Sequence, residues 1–432
     1  MRVIRYKDRD FAARCRELVA PSSLFDARIE RRARAIVEAV QQRGDAALVE
    51  FTERFDGVKL APRQFAVTAS ELRQAARQTT PALRLAIARA RRNLAAYSKR
   101  SLRKGWMARN GEGGQVGEKY DPFRRVGVYI PGGTAPLVST ALMTIVLARV
   151  AGCPEIVVCS PCGKDGRVNA ALLHAAQVAG ATEIYRVGGA QAIAAMAFGT
   201  DTIGRVQKIF GPGNAYVVAA KRLLFGHVAV DLLPGPSEVL ILADATAKPR
   251  FIAADLLAQA EHGSGHERTW LVTTSADAIP RVEAEIERQL ETLPRRDFIR
   301  KALEDNGWII HVESVEAAVE LANRLAPEHC EIMTRKAEAV ARKIGTAGAI
   351  CIGHFTPNVL GDYVAGPSHV LPTGGAGASF AGLTVDQFQR RTSIIRYDAK
   401  ALGKSLPVVR TFADVEGLAA HGRSAAIRLE EA

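Results

Sequence analysis

Gln259 and His262 stand three residues apart near the end of the stretch Phe251–Gly263, FIAADLLAQAEHG. An amide oxygen and an imidazole nitrogen both ligate metals, and residues i and i+3 share a helix face, so the two would point into one space. The stretch itself has the marks of a helix. Pro249 suits a first turn, Ala254, Leu257 and Ala258 recur at helical spacing, and Gly263 supplies a left-handed stop. A Gln-x-x-His pair also occurs at plain solvated helix ends, so a metal site needs ligands from elsewhere in the chain.

The histidines supply candidates. Seven of the nine lie from His262 onward, and several stand beside acids or glycine turns: Glu328 with His329, Asp362 ahead of His369, and Glu416 ahead of His421. Such groups offer metal ligands and acid–base pairs. The plainer reading has Glu328 and His329 opening a turn and His369 packing on Val370 and Leu371; His266 and His354 read as surface residues.

The elements that must hold these groups follow from periodicity. A helical cover comes first, with an apolar stripe through Ile29, Ala33, Ile36, Val37 and Val40, ended by Gly44. From Val126 strands and helices alternate. Val126–Ile130, Glu155–Ser160, Glu183–Val187, Val228–Leu232 and Glu238–Ala243 read as buried strands, with helices Ala170–Val178, Ala190–Phe198 and Tyr216–Leu224 between them. Further strands are expected at Trp270–Thr274, Trp308–Val312, Glu331–Thr334 and Ala349–Gly353, so a second sheet follows the first. The fold class is α/β, with parallel sheets and ligand sites at strand ends. Beyond Ser379 the pattern fails until a short helical tail, Ala413 to Arg428.

Glycine clusters stand at strand–helix junctions: Ile130–Thr134, Val187–Gln191, Phe210–Asn214 and Pro234–Ser237. None is the dinucleotide fingerprint Gly-x-Gly-x-x-Gly, yet four such turns let backbone amides approach a nucleotide-sized ligand.

Composition narrows the classes. A chain of 432 residues exceeds one ordinary core, and 48% apolar residues place it among globular proteins. The N-terminus lacks a secretory core and no apolar run spans a bilayer, so a cytoplasmic protein without a membrane partner is expected. Six scattered cysteines fit buried thiols, and Cys159-x-x-Cys162 has no second pair with which to form a zinc site. The net charge of +13 comes largely from a segment between Leu72 and Gly111 that holds no acid. It lacks a nucleic-acid reader motif, so it reads as a solvated face rather than a nucleic-acid site.

Together, Gln259-Ala-Glu-His262, Ala326-Pro-Glu-His329, the run Gly361–Thr373, Val187–Ala194 and Phe210–Asn214 resemble the histidinol dehydrogenase family. The resemblance runs from about Gly44 to His421. It implies two Rossmann-like parallel-sheet domains with small helical N- and C-terminal parts: an N-terminal segment 1–23, a first domain of 24–128 with 238–378 carrying the metal, a second of 129–237 on the NAD side, and a C-terminal dimerisation tail, 379–432. It further implies NAD-dependent oxidation of L-histidinol, through L-histidinaldehyde, to L-histidine. By motif position, Gln259, His262, Asp362 and His421 would hold Zn2+, His329 would take the hydroxyl proton, and Glu328 would activate water. Ser237, His369 and Glu416 match substrate positions, alongside Gln259, His262, His329, Asp362 and His421. Tyr129, Gln191 and Asn214 match cofactor contacts. Glu416 and His421 would come from the partner subunit of a homodimer. A related dehydrogenase of another small alcohol, such as a hydroxysulfonate, is the neighbouring possibility, because Ser368 and the run Gly374–Phe380 depart from the usual family wording.

Overall fold

The structure is a computed structural model that describes residues 1–19, 26–132, 137–233, 235–262 and 265–430. The expected helix stop at Gly263, and Gly133, Thr134 and Pro234 of the glycine clusters, lie outside the described residues.

Fourteen strands occur among them: β1 (Arg2–Arg5), β2 (Trp106–Arg109), β3 (Gln115–Pro122), β4 (Arg125–Tyr129), β5 (Glu155–Cys159), β6 (Glu183–Tyr185), β7 (Lys208–Phe210), β8 (Ala229–Val230), β9 (Glu238–Ala243), β10 (Arg268–Thr273), β11 (Gly307–His311), β12 (His329–Met333), β13 (Ala349–Ile352) and β14 (Gln389–Arg396). They form two parallel sheets, ordered β1-β11-β10-β9-β12-β13 and β6-β5-β4-β7-β8, and an antiparallel ribbon ordered β14-β3-β2. The α/β class with two parallel sheets is therefore as expected. Every residue of β9 is buried, because helices cover both faces of its sheet.

The pleat divides that sheet between two cores. Val239, Ile241, Leu271 and Ile309 pack on one side with Ile252 and Leu256 of helix Pro249–Ala260. Leu240, Leu242, Val272, Ile310 and Ile332 face the other, against helix Val315–Leu325. Around the second sheet a single core joins Ile36, Leu48, Phe51, Ile87 and Leu94 to Val126, Val157 and Ile209. The helical cover thus packs on the five-stranded sheet. The arginines of the basic segment, including Arg73, Arg77, Arg89, Arg91 and Arg92, are exposed along its outer side.

Two expectations need correction. The region after Ser379 is not patternless: β14 pairs antiparallel with β3 along eight residues, Gln389 opposite Pro122 through Arg396 opposite Gln115. The helical tail also starts earlier, as helix Ala399–Val415, followed by helix Ala419–Ala426. Pro407 inside the first helix disguised it, since proline normally breaks a helix interior. Gly417, at φ 67°, turns the chain between the two helices. Among the described residues no helix is long and apolar enough to cross a membrane.

Candidate active site

Open parallel sheets usually hold ligands at the carboxyl ends of their strands. In the six-stranded sheet the candidate groups gather instead at the amino edge. Ser237 precedes β9, Glu328 precedes β12 and His329 is its first residue, level with Val239 and Ala349. Helix Pro249–Ala260 runs back to that edge and delivers the buried Gln259, with His262 in the turn just beyond. Helix Val359–Tyr363 carries Asp362 to the same place.

The approach to Glu328 is strained. Ala326 adopts φ 46°, ψ 57° at the end of helix Val315–Leu325, the one non-glycine residue at positive φ among those described. An alanine there costs about 1–2 kcal/mol, and Pro327 directly after it restricts the bend further. The reversal drops Glu328 and His329 into the interior, so the plainer expectation of a mere turn is only half right.

His329 Nε2 is 3.8 Å from Glu328 Oε1 and 3.8 Å from Asp362 Oδ1. Those separations are too long for hydrogen bonds, so the three groups do not satisfy one another at these atoms. Glu328 Oε2 accepts from the Glu238 N–H at 2.8 Å, which fixes that carboxyl. His369 places Nδ1 3.1 Å from the Asp362 carbonyl oxygen and 3.9 Å from its carboxylate. Its Nε2 lies 3.3 Å from Thr140 Oγ1, on helix Val138–Ala151 of the other half of the molecule. Ser368 donates to the Met143 carbonyl of that same helix at 3.2 Å. The departure at Ser368 is thus accommodated by a backbone contact.

Burial sets the protonation of the cluster. Desolvation lifts Glu328 well above the carboxylate range, aided by the charges of Glu238 and Asp362 and opposed by the Glu238 N–H. It brings Asp362 to about 6 and Glu238 to about 7, the latter restrained by Arg268. The imidazoles move the other way. Desolvation, then the charges of His369 and His262, drop His329 to about 3, and desolvation drops His369 to about 4. His329 is therefore neutral at physiological pH, the form in which a base can accept a proton. Desolvation also lowers His262 from the ordinary imidazole value, and the residue keeps an exposed surface.

The donor set suits a divalent metal of borderline hardness: the Gln259 amide, the His262 imidazole and the Asp362 carboxylate. Gln259 is 1% exposed and its Nε2 has no hydrogen-bond partner, while its Oε1 holds only one. Among the described residues no three His, Cys, Asp or Glu side chains come together as a complete cage. The fourth expected ligand, His421, is exposed on helix Ala419–Ala426, and Glu416 is exposed at the end of helix Ala399–Val415. Within one chain their side chains make no hydrogen bond or ion pair among the described residues, and the structure does not bring them to the other ligands.

The expected cofactor residues sit at the carboxyl ends of the five-stranded sheet. Tyr129 ends β4, buried, with its hydroxyl accepting from the Gly189 N–H at 3.1 Å. Burial raises its pKa to about 12, so it stays a neutral hydroxyl. Gln191, 1% exposed, leaves Oε1 without a partner. Asn214 caps helix Ala215–Leu224, accepting from the Tyr216 and Val217 N–H groups, which leaves its amide nitrogen for a ligand. Nearby a cavity of about 840 Å3 opens among Asp56, Gly132, Ser160, Cys162 and Arg167. A Cβ on Gly132 or Gly188 would lie 2.5 Å from Pro161, so only glycine permits this close approach of backbone. Cys159 and Cys162 are free thiols whose pKa values burial raises to about 12 and about 11.

Sequence reasoning passed over Thr140, Glu238 and Asn358. Glu238 was hidden inside a strand, and Thr140 in a helix from the other half. Asn358, between Pro357 and the short helix bearing Asp362, carried the usual signal of a helix start.

A sequence model of the histidinol dehydrogenase family matches residues 21–429. The histidinol dehydrogenase of Geobacillus kaustophilus is 48% identical over 396 residues, covering 92% of this chain and 93% of that protein. That of Rhodopseudomonas palustris is 45% identical over 426 residues, covering 98% and 97%. The crystal structure of the Elizabethkingia anophelis histidinol dehydrogenase superposes with a TM-score of 0.94 at 34% identity, covering 100% of this chain and 98% of that one.

Proposed function

The chain belongs to the histidinol dehydrogenase family, and is therefore an oxidoreductase of histidine biosynthesis; from that premise we propose that it oxidises L-histidinol through L-histidinaldehyde to L-histidine with NAD and zinc. The observation that carries the proposal is the convergence on His329 Nε2 of Glu328 Oε1 and Asp362 Oδ1, each at 3.8 Å, among largely buried side chains.

Gln259, His262 and Asp362, with the partner's His421, would hold the metal; the unpartnered polar atom of Gln259 supports the fit. Bound there, zinc would supply a fixed anchor and Lewis acid for the substrate's amine, imidazole and oxygen. Tyr129, Gln191 and Asn214 would contact the dinucleotide, for which the unpartnered Gln191 Oε1 offers an acceptor. Two NAD molecules, bound in turn, would each accept one hydride, one from each oxidation.

In the first oxidation the neutral His329 accepts the hydroxyl proton at Nε2 as the carbinol carbon gives up a hydride. In the second, the Glu328 carboxylate takes a proton from a water molecule, whose oxygen bonds to the aldehyde carbon before the second hydride leaves. The Glu238 N–H holds Glu328 Oε2, which leaves Oε1 to take that proton. Burial of both groups keeps bulk solvent from the aldehyde between the steps. Ser237, His369 and Glu416 would orient the substrate, Glu416 by pairing with its ammonium group.

The second subunit belongs to the same proposal. Glu416 and His421 are exposed, and so are Ile395, Phe412, Val415 and Leu418 on the same C-terminal part. An apolar surface of that kind suits association with another copy, with residues 379–432 as the dimerisation tail. A cytoplasmic setting fits a pathway enzyme fed by soluble NAD.

The test is NADH formation from L-histidinol against a panel of small alcohols, hydroxysulfonates included. Two NADH per histidine is the expected result; a preference for another alcohol rejects the substrate assignment.

A further inference from the structure

Three elements that bear the site meet at one residue no motif singles out. Asn358 is 2% exposed and precedes the single helical turn Val359–Tyr363 that carries Asp362. Its carbonyl accepts from the Gly361 N–H at 2.7 Å and the Asp362 N–H at 3.2 Å, so the turn is built on it. Its own N–H donates to Glu331 Oε1 on β12 at 2.6 Å, two residues beyond His329. Its side-chain Nδ2 donates to Gln259 Oε1 on helix Pro249–Ala260 at 3.0 Å.

The last bond bears on the metal site. A primary amide in a pocket can present either end, and only its oxygen ligates a cation. Gln259 Nε2 has no partner to choose the orientation, and neither has Asn358 Oδ1. Asn358 Nδ2 is thus the side-chain partner that the structure gives the Gln259 oxygen, and the bond aligns the two amides with each other. A carbonyl oxygen has two lone pairs, so one accepts from Asn358 while the other stays available. Because Asn358 is buried and its backbone N–H is tethered to Glu331 on β12, its side chain is held against Gln259.

We propose that Asn358 is a positioning residue of the metal site, which orients the Gln259 amide oxygen and holds it in register with Asp362. The inference rests on the zinc reading above. It predicts that Asn358 acts on metal affinity through Gln259, as outer-shell partners of ligands typically do, with losses of about 10–100-fold on removal.

The experiment measures zinc affinity of the full-length protein by competition with a chromogenic chelator. Four proteins are compared: wild type, Asn358→Leu, Gln259→Ala and the double variant. Circular dichroism and thermal unfolding of each metal-free protein control for folding. Asn358→Leu is expected to weaken zinc about 10–100-fold in the wild-type background and less than about threefold in the Gln259→Ala background. Unchanged affinity in Asn358→Leu, or equal losses in both backgrounds, overturns the proposal. Should the leucine variant not fold, Asn358→Ala carries the same expectation. A wild-type protein that binds no zinc instead overturns the metal reading itself, and the two failures are thereby distinguished.

Discussion

Glu328 and His329 are adjacent in sequence and bring Oε1 and Nε2 within 3.8 Å of each other at the start of β12, yet the proposed mechanism gives them different steps. Glu328→Gln keeps the bond from the Glu238 N–H but cannot take a proton, so single turnovers starting from the aldehyde should slow by about 10²–10⁴-fold while those starting from the alcohol slow far less. His329→Asn should show the reverse, and equal losses in both steps for Glu328→Gln would contradict the assignment. Behind them lies a second acid pair, Asp255 and Glu331, buried within hydrogen-bond reach of one another. Desolvation raises both, Asp255 to about 6, and Glu331 keeps the shared proton. A folded pKa above the unfolded value stabilises at low pH, and that stability is lost as pH rises from about 4 through about 6. Asp255→Asn retains an acceptor without the charge, so relative to wild type it should gain up to about 3 kcal/mol over that rise, at about 1.4 kcal/mol per pKa unit. Urea unfolding of the metal-free proteins at several pH values measures it; a difference that stays constant across the range rules the pair out as the source.

At the scale of elements, the proposed cofactor side rests on a clamp between loops. Lys221 and Asp231 are fully buried and paired; Lys221 Nζ also donates to the Gly211 and Leu232 carbonyls, and Asp231 accepts from the Gly211 N–H at 2.7 Å. The clamp ties the glycine turn that leads to Asn214 to the strand beside it. Lys221→Met leaves Asp231 buried without its counter-charge, so unfolding free energy should fall by about 3–5 kcal/mol. The KM for NAD should rise more than that for histidinol, and a proportionate change in both would show that the turn is not what the clamp holds. This scale is also where sequence reading succeeded and failed for identifiable reasons. Glu238–Ala243 is found at its expected limits and Tyr216–Leu224 within one residue of them, because an unbroken apolar run and an apolar stripe capped by Asn214 leave one solution each. β7 and β1, at three and four residues, are too short for any period to register. β3 and β14 escaped because they are ribbon strands with mixed burial, each stabilised by a partner more than two hundred residues away. The site was legible as a set of residue types but not as a shape. Nothing in Glu328-His329 announces the left-handed Ala326 that turns them inward, or that Asn358 joins Gln259 to the Asp362 turn.

At the scale of the whole molecule, a single chain keeps the proposed zinc ligands in two groups on surfaces that do not meet. Gln259, His262 and Asp362 gather at the amino edge of the six-stranded sheet, whereas Glu416 and His421 stand out on a helical hairpin joined to the body through β14. Val415, beside Glu416, is 83% exposed and Ile395 on β14 is 74% exposed, a degree of apolar exposure that association would relieve. If the halves combine between subunits, inactive variants should rescue one another. In a homodimer of His262→Ala each site lacks its own imidazole, and in one of His421→Ala each lacks the imidazole lent by its neighbour. Unfolded together in equal amounts and refolded, half of the dimers should be mixed. In each mixed dimer one site has lost both imidazoles and the other has kept both, so about a quarter of wild-type activity and of wild-type zinc content should return. A site completed within one chain would give no complete site in any mixture, and activity would stay at the level of the separate variants. Mixing without unfolding serves as the control: recovery should then follow the slow exchange of subunits, and it should speed up when Val415→Asp weakens the contact.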